Sequence, residues 1–124
     1  MKYKCTECGA GLSTHKVVLL VGEHDKKRSL FVFDARPGKY DFVVVDDIEV
    51  KPGSMWEFYC PVCWANLTTS YNKRLAKLEA VDEEGSRKVV FSKVAGEQST
   101  FVLGGEELEA HGRDSLAYID KKDE

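Results

Sequence analysis

The chain has 124 residues, with 18 basic and 21 acidic side chains and a formal net charge of −3. This length fits one compact domain, and a content of 43% hydrophobic and 31% charged residues excludes a chain that is disordered throughout. The near-neutral balance argues against a protein held on nucleic acid by charge alone, and no apolar run reaches the roughly 18–20 residues of a membrane helix. The first residues lack the apolar core of a secretory signal, so we expect a cytoplasmic protein.

The four cysteines form two C-x-x-C pairs, Cys5 with Cys8 and Cys60 with Cys63. A C-x-x-C turn is short enough to point two thiolates at one ion, and two such turns supply the four soft ligands of a tetrahedral site. We therefore predict one structural zinc ion bound by all four cysteines, with iron as the alternative metal. A closed four-thiolate site has no open coordination position, so it is not expected to activate water.

Two other interpretations of the cysteines are weaker. A pair of disulfides would require an oxidising compartment. A thioredoxin-like dithiol uses one C-x-x-C beside a βαβ unit, whereas this chain has two pairs and flanks with β patterns.

The segments around the two cysteine pairs, Cys5–Leu12 and Cys60–Leu67, are alike over eight residues. Gly9 follows the first pair and can adopt the positive φ with which a metal knuckle turns away from the ion. The 51 residues between Cys8 and Cys60 far exceed the roughly 15–20 of a simple zinc ribbon. We therefore expect the insert, residues 9–59, to be folded.

The insert is predicted to consist of β-strands separated by polar turns. The run Lys16–Gly22 is apolar and Ser29–Asp34 alternates, so the polar link between them predicts a hairpin. Pro37-Gly38 and Pro52-Gly53 mark turns, which leaves Tyr40–Asp46, Ile48–Val50 and Ser54–Cys60 as the further strand candidates. In the last of these, Trp56, Phe58 and Cys60 share one face, which we expect to pack in the core.

Beyond Leu67 the pattern is less regular. Thr68–Tyr71 continues β-like, and residues 72–81 fit either a helix or a strand, of which we favour the strand because a turn and the apolar run Lys88–Val94 follow. Thr100–Leu103 is a short strand candidate that ends at Gly104-Gly105.

The domain organisation follows from these patterns. We predict one β domain over residues 1–112, with a C-terminal β extension over residues 73–112, and an acidic, polar tail over residues 113–124. Residues 97–124 hold eight acidic and three basic side chains, as is typical of a solvated end.

At its cysteines the sequence resembles zinc ribbons and rubredoxin-like knuckle proteins. Tyr3 two residues before Cys5, and Gly9 after Cys8, are similar to the start of a rubredoxin. Rubredoxins are much shorter between the pairs and normally carry glycine where this chain has Trp64, which counts against an iron electron-transfer site.

The long separation of the pairs resembles the β-tent group, which includes Yippee-like domains, the cereblon-type ligand-binding domain and B-type methionine sulfoxide reductases. Over residues 1–71, this resemblance implies two knuckles that pin antiparallel sheets together, with a strand at Asn66–Tyr71. Reductase activity would need a further cysteine, and an aromatic cage would have only Trp56 and Trp64 to use.

Other candidate sites are better explained without a function. His15, His24 and His111 are isolated, and Ser13 near His15 does not establish a catalytic pair. The acidic group Asp46-Asp47 with Glu49 is more typical of a solvated turn than of a metal site. The basic turn Lys26-Lys27-Arg28 could contact phosphate, but no aromatic residue or basic face accompanies it in the sequence.

We therefore expect a mainly β protein whose antiparallel sheets are pinned by a four-cysteine zinc site, in a zinc-ribbon or β-tent-like arrangement. Its expected function is that of a non-catalytic binding or adaptor module with another protein as partner. The alternatives are a rubredoxin-like iron electron carrier and a weak nucleic-acid-binding zinc ribbon. An enzyme with its active site in the insert has no positive support, and the sequence does not indicate an oligomeric state.

Overall fold

The computed structural model describes residues 2–14, 16–36, 38–46, 48–83, 85–104 and 107–115. They form two antiparallel β-sheets, which confirms the predicted mainly β class. The strands in chain order are β1 (Lys2–Lys4), β2 (Ser13–Thr14), β3 (Val17–His24), β4 (Lys27–Asp34), β5 (Phe42–Val44), β6 (Glu57–Tyr59), β7 (Leu75–Asp82), β8 (Gly85–Ser92), β9 (Thr100–Gly104) and β10 (Glu107–His111). None of the described residues belongs to a helix long and apolar enough to cross a membrane.

Sheet I contains β1, β7, β8, β9 and β10 in that order. Its centre is the hairpin of β7 and β8, in which Leu75 pairs with Ser92 and Asp82 with Gly85. The region 72–81, which the sequence leaves open between helix and strand, is therefore mostly strand, as favoured. Ala76, Leu78 and Ala80 alternate along β7 and are all buried. The neighbouring strands decide this outcome, because they supply both the backbone partners and the buried face that the helix-forming residues of β7 lack on their own.

Sheet II is built around β3. All eight residues of β3 pair with β4, and β5 continues the sheet beyond β4. The other edge of β3 is shared, because β2 pairs with Val17 and Val18 while β6 pairs with the stretch from Val21 to Glu23. The predicted first hairpin is thus present, with a tight turn at Asp25-Lys26, both of which have positive φ.

Some predicted boundaries are wrong. Residues 48–50 and 68–71 form no strand, although Thr68 makes an isolated bridge with Ala76. Strand β10 lies inside the predicted β extension but was not predicted as a separate strand. Its five residues alternate between polar and apolar side chains, and they pair with the neighbouring β9. Several predicted features lie outside the described residues, namely His15, Pro37, Asp47, Gly105 and residues 116–124 of the predicted tail.

The core lies between the two sheets and is rich in aromatic rings. Trp56, Phe58 and Cys60 are buried together along one face, as the alternation predicts. Phe31 of β4 packs edge-on against Phe58, with ring centroids 5.3 Å apart, and Phe58 in turn lies 6.0 Å from Phe91 of sheet I. These rings therefore carry the contact from one sheet to the other.

A buried ion pair also joins the two sheets. The side chain of Lys93, which follows β8, is only 1% exposed, and its Nζ lies 2.7 Å from Oε2 of Glu57 on β6. The same Nζ donates to Oγ1 of Thr68, and the Glu57 carboxylate also accepts a hydrogen bond from Asn66 Nδ2. A charged amine in the protein interior is stable only when paired in this way.

We predict that Glu57→Gln lowers the free energy of unfolding at pH 7 by about 2–3 kcal/mol, because the buried Lys93 ammonium loses its counter-charge. This loss lies at and below the lower end of the usual range of about 3–5 kcal/mol, since the Glu57 side chain is 38% exposed. Glu49→Gln, on an exposed carboxylate, is the matched control and should change stability little. Urea denaturation of the three proteins measures the difference.

The difference in free energy of unfolding between wild type and Glu57→Gln should depend on pH. Partial burial by itself raises the pKa of Glu57, but the hydrogen bonds from Lys93, Thr68 and Asn66 outweigh it and hold that pKa below its usual value. A lowered folded-state pKa stabilises the fold above the unfolded pKa, and this stabilisation is lost as the pH falls through the folded pKa. The gap between wild type and Glu57→Gln should therefore shrink below about pH 4. A constant gap down to pH 3 would contradict the proposed role of the charge.

Candidate metal centre

Each cysteine pair lies where the chain passes from one sheet to the other. Cys5 and Cys8 lie between β1 of sheet I and β2 of sheet II. Cys60 and Cys63 follow β6 of sheet II, and the chain then runs alongside β7 of sheet I, where the amide of Lys77 donates to the carbonyl of Leu67 at 2.8 Å. A metal ion bound to both pairs would consequently fasten the two sheets together at this end of the core.

The two knuckles, Cys5–Leu12 and Cys60–Leu67, have the same backbone hydrogen bonds. The likeness that the sequence shows is thus a likeness of conformation, in which each turn closes around its first cysteine. The matching donor–acceptor pairs are Cys5 N to Ala10 O (3.0 Å) with Cys60 N to Ala65 O (3.0 Å), Gly9 N to Cys5 O (3.1 Å) with Trp64 N to Cys60 O (2.9 Å), and Leu12 N to Tyr3 O (2.8 Å) with Leu67 N to Phe58 O (2.9 Å).

The four sulfurs have the separations of a tetrahedral metal site. The Sγ atoms of Cys5 and Cys63 lie 3.8 Å apart, as do those of Cys8 and Cys60, and all four Sγ atoms are within 4.8 Å of one another. Four thiolates about 2.3 Å from a shared ion would be separated by about 3.8 Å in a regular tetrahedron. A disulfide would bring two sulfurs to about 2.05 Å. The four cysteines are free thiols in this arrangement and could hold one metal ion.

Backbone amides turn toward the sulfurs. The amides of Glu7 and Val62, each two residues after the first cysteine of its knuckle, lie 3.3 Å from Cys5 Sγ and Cys60 Sγ. The amide of Ala10 donates to Cys8 Sγ at 3.4 Å. Such N–H dipoles favour the thiolate, which is the form that binds metal.

Without a cation the cluster resists full ionisation. Burial raises the pKa of the Cys5 thiol. The Ala65 amide lowers the pKa of Cys63, but burial and the three neighbouring thiols outweigh it and raise that pKa to about 12. A metal ion reverses this balance by neutralising the sulfurs, so metal binding should release protons and weaken as the pH falls.

The inner and outer halves of the cluster differ in exposure. Cys5 and Cys60, the first cysteines of the two knuckles, are buried, whereas Cys8 and Cys63 are exposed.

Within the part of the chain that the structure describes, no other group of three or more His, Cys, Asp or Glu side chains is close enough to share an ion.

Among the positions at which the knuckles differ, the largest change in side-chain size is where Gly9 corresponds to Trp64. Both residues have positive φ, +74° for Gly9 and +64° for Trp64. This conformation is ordinary for glycine but costs a residue with a Cβ about 1–2 kcal/mol. The Trp64 side chain gains little burial in return, since it is 52% exposed. Its main described contact is the guanidinium of Arg28, 5.3 Å from the ring centroid.

No match was found for this chain. Protein-family models, curated proteins and solved structures were all compared with it. The resemblance to rubredoxin-like and β-tent proteins therefore remains an interpretation of the two knuckles.

The other residues singled out in the sequence do not assemble into a second metal site, as far as the structure describes them. His24 is exposed, with its ring 5.2 Å from that of Trp56 and its Nδ1 2.8 Å from the carbonyl oxygen of Met55. His111 lies on β10 in sheet I. Asp46 and Glu49 are exposed in the segment after β5.

Two features of this region could not be found from the sequence. Arg28 of the basic turn has an aromatic neighbour after all, Trp64, which is 36 positions away along the chain. Its guanidinium is also paired with Glu23 at 2.8 Å, so its charge is already compensated. The two tryptophans proposed for a cage are separated by burial, because Trp56 is enclosed in the core and Trp64 is on the surface.

We predict that Gly9→Ala destabilises the fold by about 1–2 kcal/mol, because Gly9 has positive φ and a Cβ would meet no other atom within 4 Å to compensate. Gly11→Ala, two residues later, is the matched control, since its site is equally open and has no positive φ.

Trp64→Gly relieves the same backbone strain in the second knuckle, but the greater freedom of glycine in the unfolded chain offsets this gain in stability. Its stability should stay within about 1 kcal/mol of wild type, as measured by denaturation of the metal-loaded proteins. A loss above about 2 kcal/mol for Trp64→Gly would show that the side chain is needed for packing.

Proposed function

We propose that the protein is a small, non-catalytic binding module built around one structural zinc ion. The observation that carries the proposal is the sulfur geometry, with two 3.8 Å separations linking the two knuckles. Four thiolates saturate tetrahedral zinc, which leaves no position for water or substrate. Zinc accordingly holds the sheets together, and binding takes place on other surfaces.

Zinc is favoured over iron by its fit to a closed four-sulfur site and by Trp64 in place of the glycine of rubredoxins. An iron electron carrier is the second candidate. Two observations favour it: Cys8 and Cys63 are exposed, which would let an electron reach the metal, and the N–H···S bonds resemble those that tune redox potential in iron–sulfur proteins.

Metal content separates the two candidates. We predict one zinc per chain and no visible absorption in protein purified from cells grown with both metals. One iron per chain with a thiolate-to-iron absorption band would overturn the zinc proposal and support the electron carrier. Protein that folds fully without any metal would overturn both candidates.

We predict that Cys60→Ser loses the metal and lowers the melting temperature by more than about 10 °C, because a structural zinc contributes as much free energy as a small domain has in total. Val62→Ser is the control in the same knuckle: its side chain is exposed, and the backbone amide that faces Cys60 Sγ is retained. Thermal unfolding with metal analysis should show wild-type behaviour for Val62→Ser. An unchanged melting temperature and full metal content in Cys60→Ser would mean that Cys60 is not a ligand.

We further propose that the partner is another protein and that it contacts the second knuckle. Trp64 and Val62 are exposed on a turn held by hydrogen bonds to the metal-ligating residues, so their positions are set before binding. Tryptophan on a rigid turn loses little entropy in an interface and is enriched among the residues that dominate binding energy.

The partner proposal predicts a specific loss of binding. Trp64→Gly should keep the zinc and the fold, and it should lose at least one protein that co-purifies with the wild type. Leu108→Ser, which removes an exposed apolar side chain from β10 in sheet I, should retain that protein. Quantitative mass spectrometry of affinity-purified samples makes the comparison. Equal recovery with all three proteins would contradict a contact through Trp64.

A further inference from the structure

A cavity of about 230 Å³ lies between the two sheets. Val18, Leu20 and Phe31 of sheet II and Leu78 and Phe91 of sheet I contribute to its walls. An apolar cavity of about 150 Å³ is large enough to bind benzene, so this one has room for two fused rings. Native cores are close-packed, and an unfilled void of this size forgoes many dispersion contacts.

Aromatic side chains form a large part of the cavity lining. Eight of the lining residues are aromatic, and their ring pairs include stacked, tilted and edge-on arrangements. Phe31 and Phe33 both present their rings edge-on to Phe58, at 5.3 and 5.4 Å between centroids. Walls of this kind offer both ring faces and ring edges, which are the two surfaces that an aromatic ligand packs against.

Four of the five charged side chains of the lining are in ion pairs, and the fifth, Lys39, is exposed. Arg36 Nε and Nη2 donate to the carboxylate of Asp34 at 3.0 and 2.7 Å, and Lys93 is bound to Glu57. Arg36 is exposed, as are Lys39 and Phe42, so the cavity opens to solvent on the side where these residues lie. The interior therefore suits an uncharged molecule that enters from this side.

We propose that this cavity binds a small, flat, uncharged and mostly apolar molecule of one or two fused rings. The inference does not depend on the protein-partner proposal, because Trp64 is not part of the lining. It assigns the aromatic residues between the sheets a binding role in addition to their packing.

Metal-loaded protein is titrated with toluene, indole and 2-naphthol, with glucose as a non-aromatic control. The readout is the pair of tryptophan indole N–H signals in a ¹⁵N correlation spectrum, assigned with the variant Trp64→Phe. Trp56 lines the cavity and Trp64 does not, so the Trp56 signal should shift on addition of the aromatic probes, and the Trp64 signal should stay in place. Glucose should shift neither. Failure of every aromatic probe to shift Trp56, or shifts at Trp64 alone, would overturn the proposal.

Two valine substitutions test whether the aromatic probes bind in this cavity. Val50→Phe enlarges a partly buried side chain of the lining that lies outside the strands, and it should abolish binding. Val43→Phe makes the same change at an exposed position outside the lining and should bind like wild type. If Val50→Phe does not fold, Ala95→Leu blocks the same cavity. Wild-type affinity in a folded, metal-loaded blocking variant would overturn the proposal.

Discussion

The cluster of four sulfurs is the constraint on which the rest of the structure depends. It lies where the chain crosses between the two sheets, first between β1 and β2 and again after β6. Four thiolates this close together would repel one another unless a cation neutralised them, which is the physical reason that the cluster could hold a metal ion. A metal ion there would also close the 51-residue loop between Cys8 and Cys60, whose entropy would otherwise oppose the pairing of the sheets.

The two knuckles show how one backbone design accommodates different surfaces. Their hydrogen bonds match pair for pair, yet Gly9 in one corresponds to Trp64 in the other. A tryptophan with positive φ persists because the surrounding hydrogen bonds impose the turn on whatever residue occupies it. The strained and exposed residue sits beside the metal ligands, which is where we place the contact with a protein partner.

Binding and stability are separated in this architecture. A metal ion held by all four sulfurs would supply rigidity without reactivity, and the paired charges of Lys93 and Glu57 add a second link between the sheets. The aromatic rings between the sheets leave a cavity instead of filling the space completely. The surface of the second knuckle and the cavity between the sheets are the two independent places where we propose recognition.

The features that depend on local pattern could be predicted from the sequence. The spacing of the cysteines selects the four candidate ligands, and alternation predicts both the β class and the buried face that contains Trp56 and Phe58. The features that depend on distant partners could not. Arg28 meets Trp64, 36 positions away along the chain, only after sheet II brings the hairpin to the knuckle. The pairing of Lys93 with Glu57 and the cavity between the sheets likewise arise from the packing of residues far apart in the chain.

Sequence by itself determined which residues can ligate a metal and which faces are apolar, because spacing and period are local properties. Tertiary structure alone decided which groups meet, because long-range contacts depend on how the sheets are stacked.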